Sequence, residues 1–283
     1  MTDRPDCDLD GAVDALRDEL RRLERVVVAF SGGADSSFLA AVATQTLGPA
    51  RAHAVTAVSP SLAGLERDDC AALAAEWGLR WTPVETHEME RAAYRRNDTD
   101  RCYHCKAELM DVVAPIAAAE GATVVLGVNT DDLHDHRPGQ RAAGEAGAEF
   151  PLVTAGLSKA DVREASRRLG LRTWDKPAAA CLASRIPTGT PVSIGVLSSV
   201  DRAETHLKQL GLRDVRVRHY GETARIEVGE GELALAVEAR LAIVEGLHAA
   251  GYRYVTLDLE GFRSGNLNAP APGRPSAGEA TTR

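Results

Sequence analysis

Val26-Val27-Val28-Ala29-Phe30-Ser31-Gly32-Gly33-Ala34-Asp35-Ser36 is the stretch that decides how this chain folds. Its unbroken apolar run reads as a buried strand that empties into a glycine-rich turn, and the turn opens a helix at Ser36-Ser37-Phe38-Leu39. Two adjacent glycines let the backbone turn and come close to an anion. Successive N–H groups and the first turn of the helix then aim partial positive charge at it. Ser31, Gly32, Gly33, Asp35, Ser36 and Ser37 form the candidate phosphate cradle, in which the three hydroxyls add donors and Asp35 is the candidate magnesium ligand. The lysine of the G-x-x-x-x-G-K-S/T loop, which grips a transferred terminal phosphate, is missing from this pattern.

Strands and helices alternate outward from this junction. Residues 9–24 read as an amphipathic helix; His53–Val58, Arg80–Val84 and Thr123–Leu126 read as strands, with helices over Leu62–Trp77 and after Cys102. The alternation predicts an α/β fold, a parallel sheet with helices on both faces, whose ligands sit outside the carboxyl ends of the strands. Residues 127–150 are polar, glycine-rich and without period, which suggests a functional lid or a disordered loop. Ser158 is placed to cap a helix that ends at Leu169 and Gly170.

After the proline-broken segment Trp174–Gly189 the pattern changes. Ile194–Leu210 and Leu233–Ala250 read as helices, and Val215–His219, Ala224–Val228 and Tyr252–Leu257 as strands, the makings of a smaller α+β domain. The expected organisation is residues 1–188 as a nucleotide domain carrying the cysteines, and 189–266 as a substrate-binding and oligomerisation domain. A disordered tail, 267–283, rich in Pro, Gly, Ala and Ser, is expected to follow.

Charges interrupt every apolar run well before the roughly 20 residues that a membrane span needs. The start, Met1 to Asp8, is acidic and lacks a signal peptide's basic and apolar regions, so a cytoplasmic enzyme is expected. The 283 residues carry a net charge of -8, which argues against nucleic acid as the partner unless a local basic patch exists. The nearest one, Arg213 to His219, alternates basic and apolar residues as a strand does.

Five cysteines are an odd count for a disulfide framework and point to ligands or reactive thiols. Arg101-Cys102-Tyr103-His104-Cys105-Lys106 puts two thiols near a helix start, where the dipole and neighbouring cations favour thiolate. Cys181 lies in Lys176-Pro177-Ala178-Ala179-Ala180-Cys181-Leu182-Ala183-Ser184-Arg185, which the fold could bring to the same sheet edge. A C-x-x-C alone fits a redox pair, half a zinc site or two incidental thiols. A structural zinc site wants four ligands, and His104, between the two cysteines, is expected to point away. Three cysteines without a fourth suit a 4Fe-4S cluster whose remaining iron stays open to a ligand such as sulfide. Cys70 reads as a core residue and Cys7 as incidental.

The hexapeptide Ser31 to Ser36 resembles the PP-loop of the N-type ATP pyrophosphatases. Together with the Arg101–Lys106 and Lys176–Arg185 stretches, Gly127-Val128-Asn129-Thr130-Asp131-Asp132, Asp135 to Gly139 and Gly261-Phe262-Arg263-Ser264-Gly265, it resembles the LarE family of ATP-dependent sulfur transferases over about residues 10–268. The resemblance implies a loop that holds the pyrophosphate end of ATP while a substrate oxygen attacks the α-phosphorus. It further implies that a carboxylate of pyridinium-3,5-biscarboxylic acid mononucleotide is adenylated and then converted to a thiocarboxylate, for the nickel-pincer nucleotide. Some family members surrender the sulfur of one cysteine, matched here by Cys181, and keep dehydroalanine. Others add the C-x-x-C and are thought to hold a 4Fe-4S cluster. With Cys102, Cys105 and Cys181 all present, the cluster-dependent form is the expectation, and a sulfide donor and a nickel-insertion protein are the implied partners.

Lys106, Lys176, Arg185, Arg216, Arg218 and Arg263 are candidates for the substrate's phosphate and carboxylates, because guanidinium groups bind such anions bidentately. Arg216 and Arg218 share one strand face, with Glu227 and Glu204 as acids able to orient them. Asp131, Asp132 and Asp135 are candidates for magnesium or for ordering the lid. Rival readings are a PP-loop tRNA thiolase, which should carry basic patches and bind in a salt-sensitive way, an amide-forming synthetase, and a non-catalytic nucleotide or iron–sulfur scaffold.

Overall fold

Val26 and Val28 face one way and Val27 the other, and all three are buried. In the computed structural model, which describes residues 6–134, 138–177 and 180–262, they belong to strand β1 (Val26–Ala29). Val26 and Val28 pack with Leu16, Leu20, Phe38, Leu73 and Val162. Val27 packs with Val55, Leu109, Met110, Val113 and Leu126 in a second cluster. The run is continuous because helices cover both faces of the sheet.

The chain order is α1 (Asp6–Leu23), β1, α2 (Ala34–Leu47), β2 (Ala52–Val58), α3 (Gly64–Glu76), β3 (Arg80–Glu85), α4 (Ala92–Arg96), α5 (Arg101–Glu120) and β4 (Thr123–Leu126). Next come α6 (Pro138–Glu145), α7 (Pro151–Thr154), α8 (Lys159–Arg168), α9 (Ile194–Gln209), β5 (Val215–Tyr220), β6 (Thr223–Val228), α10 (Leu233–Glu238), α11 (Arg240–Ala249) and β7 (Tyr254–Leu257). The first sheet has the order β3-β2-β1-β4. All its pairings are parallel, with Val26 opposite both Ala52 and Thr123. The strands therefore end together, beside the turn that follows β1.

By contacts the chain divides into two units, residues 1–185 with 189–201, and residues 186–188 with 202–283. In the second, β5 and β6 form an antiparallel hairpin and β7 joins β6 in parallel. Its core holds Leu207, Val215, Val217, Ile226, Val228 and Leu247.

The α/β class and the smaller α+β part stand as expected, while two local readings change. The stretch 127–150 contains helix α6, which buries Gly139, Ala142 and Ala143. Residues this small leave no apolar stripe to read. The helix expected over Leu233–Ala250 is two helices that break at Ala239, whose ψ of 7° departs from the helical value without any glycine or proline to announce it. Ser158 does cap α8, with a reciprocal capping box to Asp161. Among the described residues no helix is long and apolar enough to cross a membrane. The tail 267–283 lies outside the described residues.

Candidate active site

The turn after β1 is built by backbone conformation first. Gly32 has φ +70°, and a Cβ there would come 2.8 Å from Cys70 Sγ. Only glycine takes that position without strain. Gly33 is the N-cap of α2, without a side-chain cap, so the first N–H groups of the helix remain for a ligand. Ser36 Oγ accepts from Ser31 N–H at 3.2 Å and lies 3.0 Å from Ser31 Oγ, which closes the turn. Ser31, Gly33, Asp35 and Ser36 line a cavity of about 680 Å³. The Ser37 side chain is fully buried and does not line this cavity, and its hydroxyl has no hydrogen-bond partner among the described residues.

Asn129, fully buried after β4, organises the acids around this loop. Its Nδ2 donates to Asp35 Oδ1 at 3.2 Å, and its Oδ1 accepts from the Asp131 and Asp132 N–H groups at 3.0 and 3.3 Å. Burial pushes the Asp35 carboxyl above its usual range; the Asn129 bond opposes this and the Asp132 charge adds to it. Asp132 also lines the cavity, whereas Asp131 accepts from Lys159 N–H at the start of α8. Asp135 lies outside the described residues. Asn129 stands in the Gly127–Asp132 stretch that carries the family resemblance, but its part in orienting Asp35 is not encoded in that spacing.

Behind the loop, Lys176 Nζ donates to the Gly32 carbonyl at 3.0 Å and pairs with Asp69 at 2.7 Å and Glu66 at 2.8 Å. Burial works against the ammonium but is outweighed by these carboxylates, which hold its pKa above the usual lysine value. Lys176 thus braces the loop instead of facing an anion.

The thiols enter from two other elements. Arg101, Cys102, Cys105 and Lys106 form the first turns of α5, and Cys181 immediately precedes a 3-10 turn, Leu182–Arg185. Leu182 N–H donates to the Ser61 carbonyl at 2.9 Å, which fixes the Cys181 segment to the chain leaving β2. Arg101 Nη1 donates to the Ala183 carbonyl at 2.8 Å and also to Asn97 Oδ1. Cys102, Cys105, Lys106 and Cys181 all line the cavity that the phosphate loop lines. Burial pushes the Cys105 thiol up to about 12, with Cys181 adding to the shift and Lys106 opposing it. His104 is 3.1 Å from Asp100 and is not a cavity residue. Cys70 is a core residue, fully buried beneath Gly32.

Arg185 does not present its guanidinium to the cavity. Its Nη1 donates to the Ala180 carbonyl at 2.6 Å and to Ser184 Oγ at 3.0 Å, so it stiffens the turn that carries Cys181. Arg216, Arg218 and Glu227 belong to the second unit. Arg218 pairs with Glu227 at 2.8 Å, Arg225 meets the same acid at 2.6 Å, and Arg216 lies over the Phe262 ring at 4.8 Å. Glu204 accepts from Val217 N–H at 2.9 Å. Arg263 lies outside the described residues.

Among the described residues no group of three His, Cys, Asp or Glu side chains is arranged to hold a single metal ion. The three thiols that line the cavity are a soft donor set, of the chemistry that holds an iron–sulfur cluster. Asp35, with Asp132 nearby, supplies hard oxygens suited to magnesium beside the phosphate loop.

Residues 9–113, from α1 through the phosphate loop to the cysteine-bearing turns of α5, match the NAD synthase family model. The chain is 44% identical over 263 residues to an uncharacterized protein of Synechocystis, covering 92% of this chain and 98% of that one. It is 26% identical over 245 residues to an uncharacterized protein of Methanocaldococcus jannaschii, covering 85% and 92%. It is 37% identical over 250 residues to the pyridinium-3,5-bisthiocarboxylic acid mononucleotide synthase of Lactiplantibacillus plantarum, covering 88% of this chain and 91% of the synthase. Identity of that degree over nearly the whole of both proteins reflects common descent, and the chain belongs to the LarE family.

Proposed function

We propose that this protein uses ATP to activate a carboxylate of pyridinium-3,5-biscarboxylic acid mononucleotide and then exchanges an oxygen of that carboxylate for sulfur. The observation that carries this reading is a single cavity lined both by the phosphate loop and by Cys102, Cys105 and Cys181. Activation and sulfur delivery can then occur without the intermediate leaving.

A carboxylate oxygen is a poor leaving group. Attack by that oxygen on the α-phosphorus of ATP forms an acyl adenylate and expels pyrophosphate, leaving the carbonyl carbon open to a nucleophile. The backbone N–H groups at Gly33 and the start of α2, with the Ser31 and Ser36 hydroxyls, stabilise charge on the departing pyrophosphate. Asp35, oriented by Asn129, would hold magnesium, which supplies countercharge to the phosphates. Lys176 keeps the loop in shape through the Gly32 carbonyl. Lys106, on the same cavity, is the candidate contact for a substrate anion. In the second unit, Arg216, Arg218 and Glu227 form a buried charged set that is a candidate anion site of that unit.

Sulfur then attacks the activated carbonyl and AMP leaves. A 4Fe-4S cluster held by Cys102, Cys105 and Cys181 would supply an open coordination position for exogenous sulfide. Arg101 and Arg185 fix the Cys181 turn at its carbonyls, so that the sulfur source keeps its place beside the adenylate. A cluster-dependent enzyme turns over repeatedly, whereas a cysteine that gives up its own sulfur serves once.

The test is anaerobic reconstitution with iron and sulfide, then incubation with ATP and the pyridinium dicarboxylate mononucleotide. Iron–sulfur absorption, AMP with pyrophosphate, and thiocarboxylate in excess over protein are expected. ADP instead of AMP would overturn the adenylation. Dehydroalanine at Cys181, with product limited to one sulfur per chain, would replace the cluster with sacrificial donation.

A further inference from the structure

One buried acid on the cavity wall is used by none of these steps. Glu88, in the 3-10 turn Glu88–Glu90 after β3, is 3% exposed and lines the cavity. It accepts from the Ser59 hydroxyl, and Ser59 Oγ in turn accepts from Ser61 N–H at 3.1 Å. Tyr94 of α4, 1% exposed, lines the same cavity with its hydroxyl 2.5 Å from Ser61 Oγ.

Several other acids of this unit are paired with cations. Glu66 and Asp69 have Lys176, and Glu108 has Arg91 at 2.6 Å. Among the described residues no lysine, arginine or histidine forms an ion pair with Glu88, whose side-chain partner is the neutral hydroxyl of Ser59. Withdrawing a carboxylate from water against a neutral donor alone is costly, and such a group is best accounted for when a ligand brings the opposite charge.

The wall's location says which part of a ligand arrives there. Ser61, whose Oγ meets the Tyr94 hydroxyl, accepts from Leu182 N–H at its carbonyl at 2.9 Å, and Cys105 and Cys181 line the same cavity as Glu88 and Tyr94, so this wall adjoins the turn that carries Cys181. On the sulfur-transfer reading, on which this inference rests, sulfur must touch a carbonyl carbon bonded directly to the substrate's ring. The ring therefore lies beside Cys105 and Cys181, at the wall formed by Glu88 and Tyr94. A pyridinium ring is a permanent cation that cannot shed its charge on burial. We propose that Glu88 is the countercharge for this ring, and that it selects a quaternary aromatic ring over a neutral ring of nearly the same shape.

The test is calorimetric titration of the full chain with pyridinium-3,5-dicarboxylate mononucleotide and, separately, with its reduced 1,4-dihydropyridine form, which has no ring charge. Wild type should bind the cation about tenfold or more tighter than the neutral form, the scale of a charge-assisted buried contact. Glu88→Gln should weaken the cation by about that factor and leave the dihydropyridine within about twofold, with ATP binding kept as the sign of an intact loop. Unchanged binding of the cation by Glu88→Gln, or equal weakening of both forms, would overturn the proposal. If that variant does not fold, wild type decides: equal affinity for the two rings overturns the proposal, and a preference for the cation supports it. Binding of neither form by wild type would instead overturn the sulfur-transfer reading.

Discussion

Arg101 Nη1 donates to the Ala183 carbonyl at 2.8 Å, so the helix bearing Cys102 and Cys105 is tied directly to the turn bearing Cys181. The same nitrogen donates to Asn97, whose own Nδ2 donates to the Thr190 carbonyl at 2.9 Å. Arg101→Lys removes the guanidinium whose Nη1 serves both acceptors in a fixed plane. Thiocarboxylate formation should fall by about a hundredfold, the cost of a small misplacement of reacting groups. ATP binding should change little, because the phosphate loop is not part of this linkage. Parallel measurements of product formation and ATP affinity in the variant separate the two effects.

Glycine is demanded at Gly127 by close approach. A Cβ there would lie 2.7 Å from Ser36 N and 2.8 Å from Asp35 C, both backbone atoms of the phosphate-loop helix. Gly127→Ala should cost about 1–3 kcal/mol of stability by overpacking and displace the loop, weakening ATP binding. Gly11, exposed in α1 with nothing within 4 Å of an added Cβ, should respond with the opposite sign. Gly11→Ala should gain about 0.5–1 kcal/mol. Thermal denaturation with ATP titration checks both.

What the sequence makes legible follows from what each segment buries. The run Val26–Phe30 shows itself because helices cover both faces of its strand and no polar residue interrupts it. The hairpin of β5 and β6 shows itself by alternation, apolar Val215 and Val217 against Arg216 and Arg218, although the two arginines are buried as well. Helix α6 is hidden: its buried positions are glycine and alanine, and an added Cβ at Gly139 would lie only 3.1 Å from the Cys102 carbonyl. In the candidate site, the glycine loop and the cysteines are visible as local patterns. Their sharing of one cavity depends on contacts such as Arg101 to Ala183, which no local spacing encodes. Lys176 and Arg185 look like free cations in sequence and are occupied by carbonyls and carboxylates in the fold. Glu88 belongs to no motif at all.

The cap of α8 should be measurable in isolation from the chemistry. Ser158 Oγ accepts from Asp161 N–H at 3.2 Å, while Asp161 accepts from Ser158 N–H at 2.9 Å. Ser158→Ala should destabilise the protein by about 1 kcal/mol. Urea denaturation should show a lower midpoint with an unchanged slope.

Alkaline stability should report on Cys70. Burial pushes this thiol up to about 11 from the ordinary 9.0, the Thr56 hydrogen bond and the Lys176 charge opposing. Because the folded state resists ionising the thiol, Cys70 contributes its full stability below about pH 9 and loses it as pH rises towards about 11. Wild type should lose about 2 kcal/mol across that window relative to Cys70→Ala. The check is denaturant unfolding of both proteins at stepped pH; parallel curves would contradict it.

The joining of adenylation to sulfur delivery in one cavity is tested most directly by mass spectrometry of the products from reconstituted wild type and Cys181→Ala, each given ATP, magnesium, sulfide and the pyridinium dicarboxylate mononucleotide. Wild type should yield AMP and thiocarboxylate together, and Cys181→Ala should release AMP without thiocarboxylate. Equal thiocarboxylate from the two proteins, or none from wild type while AMP accumulates, would contradict it.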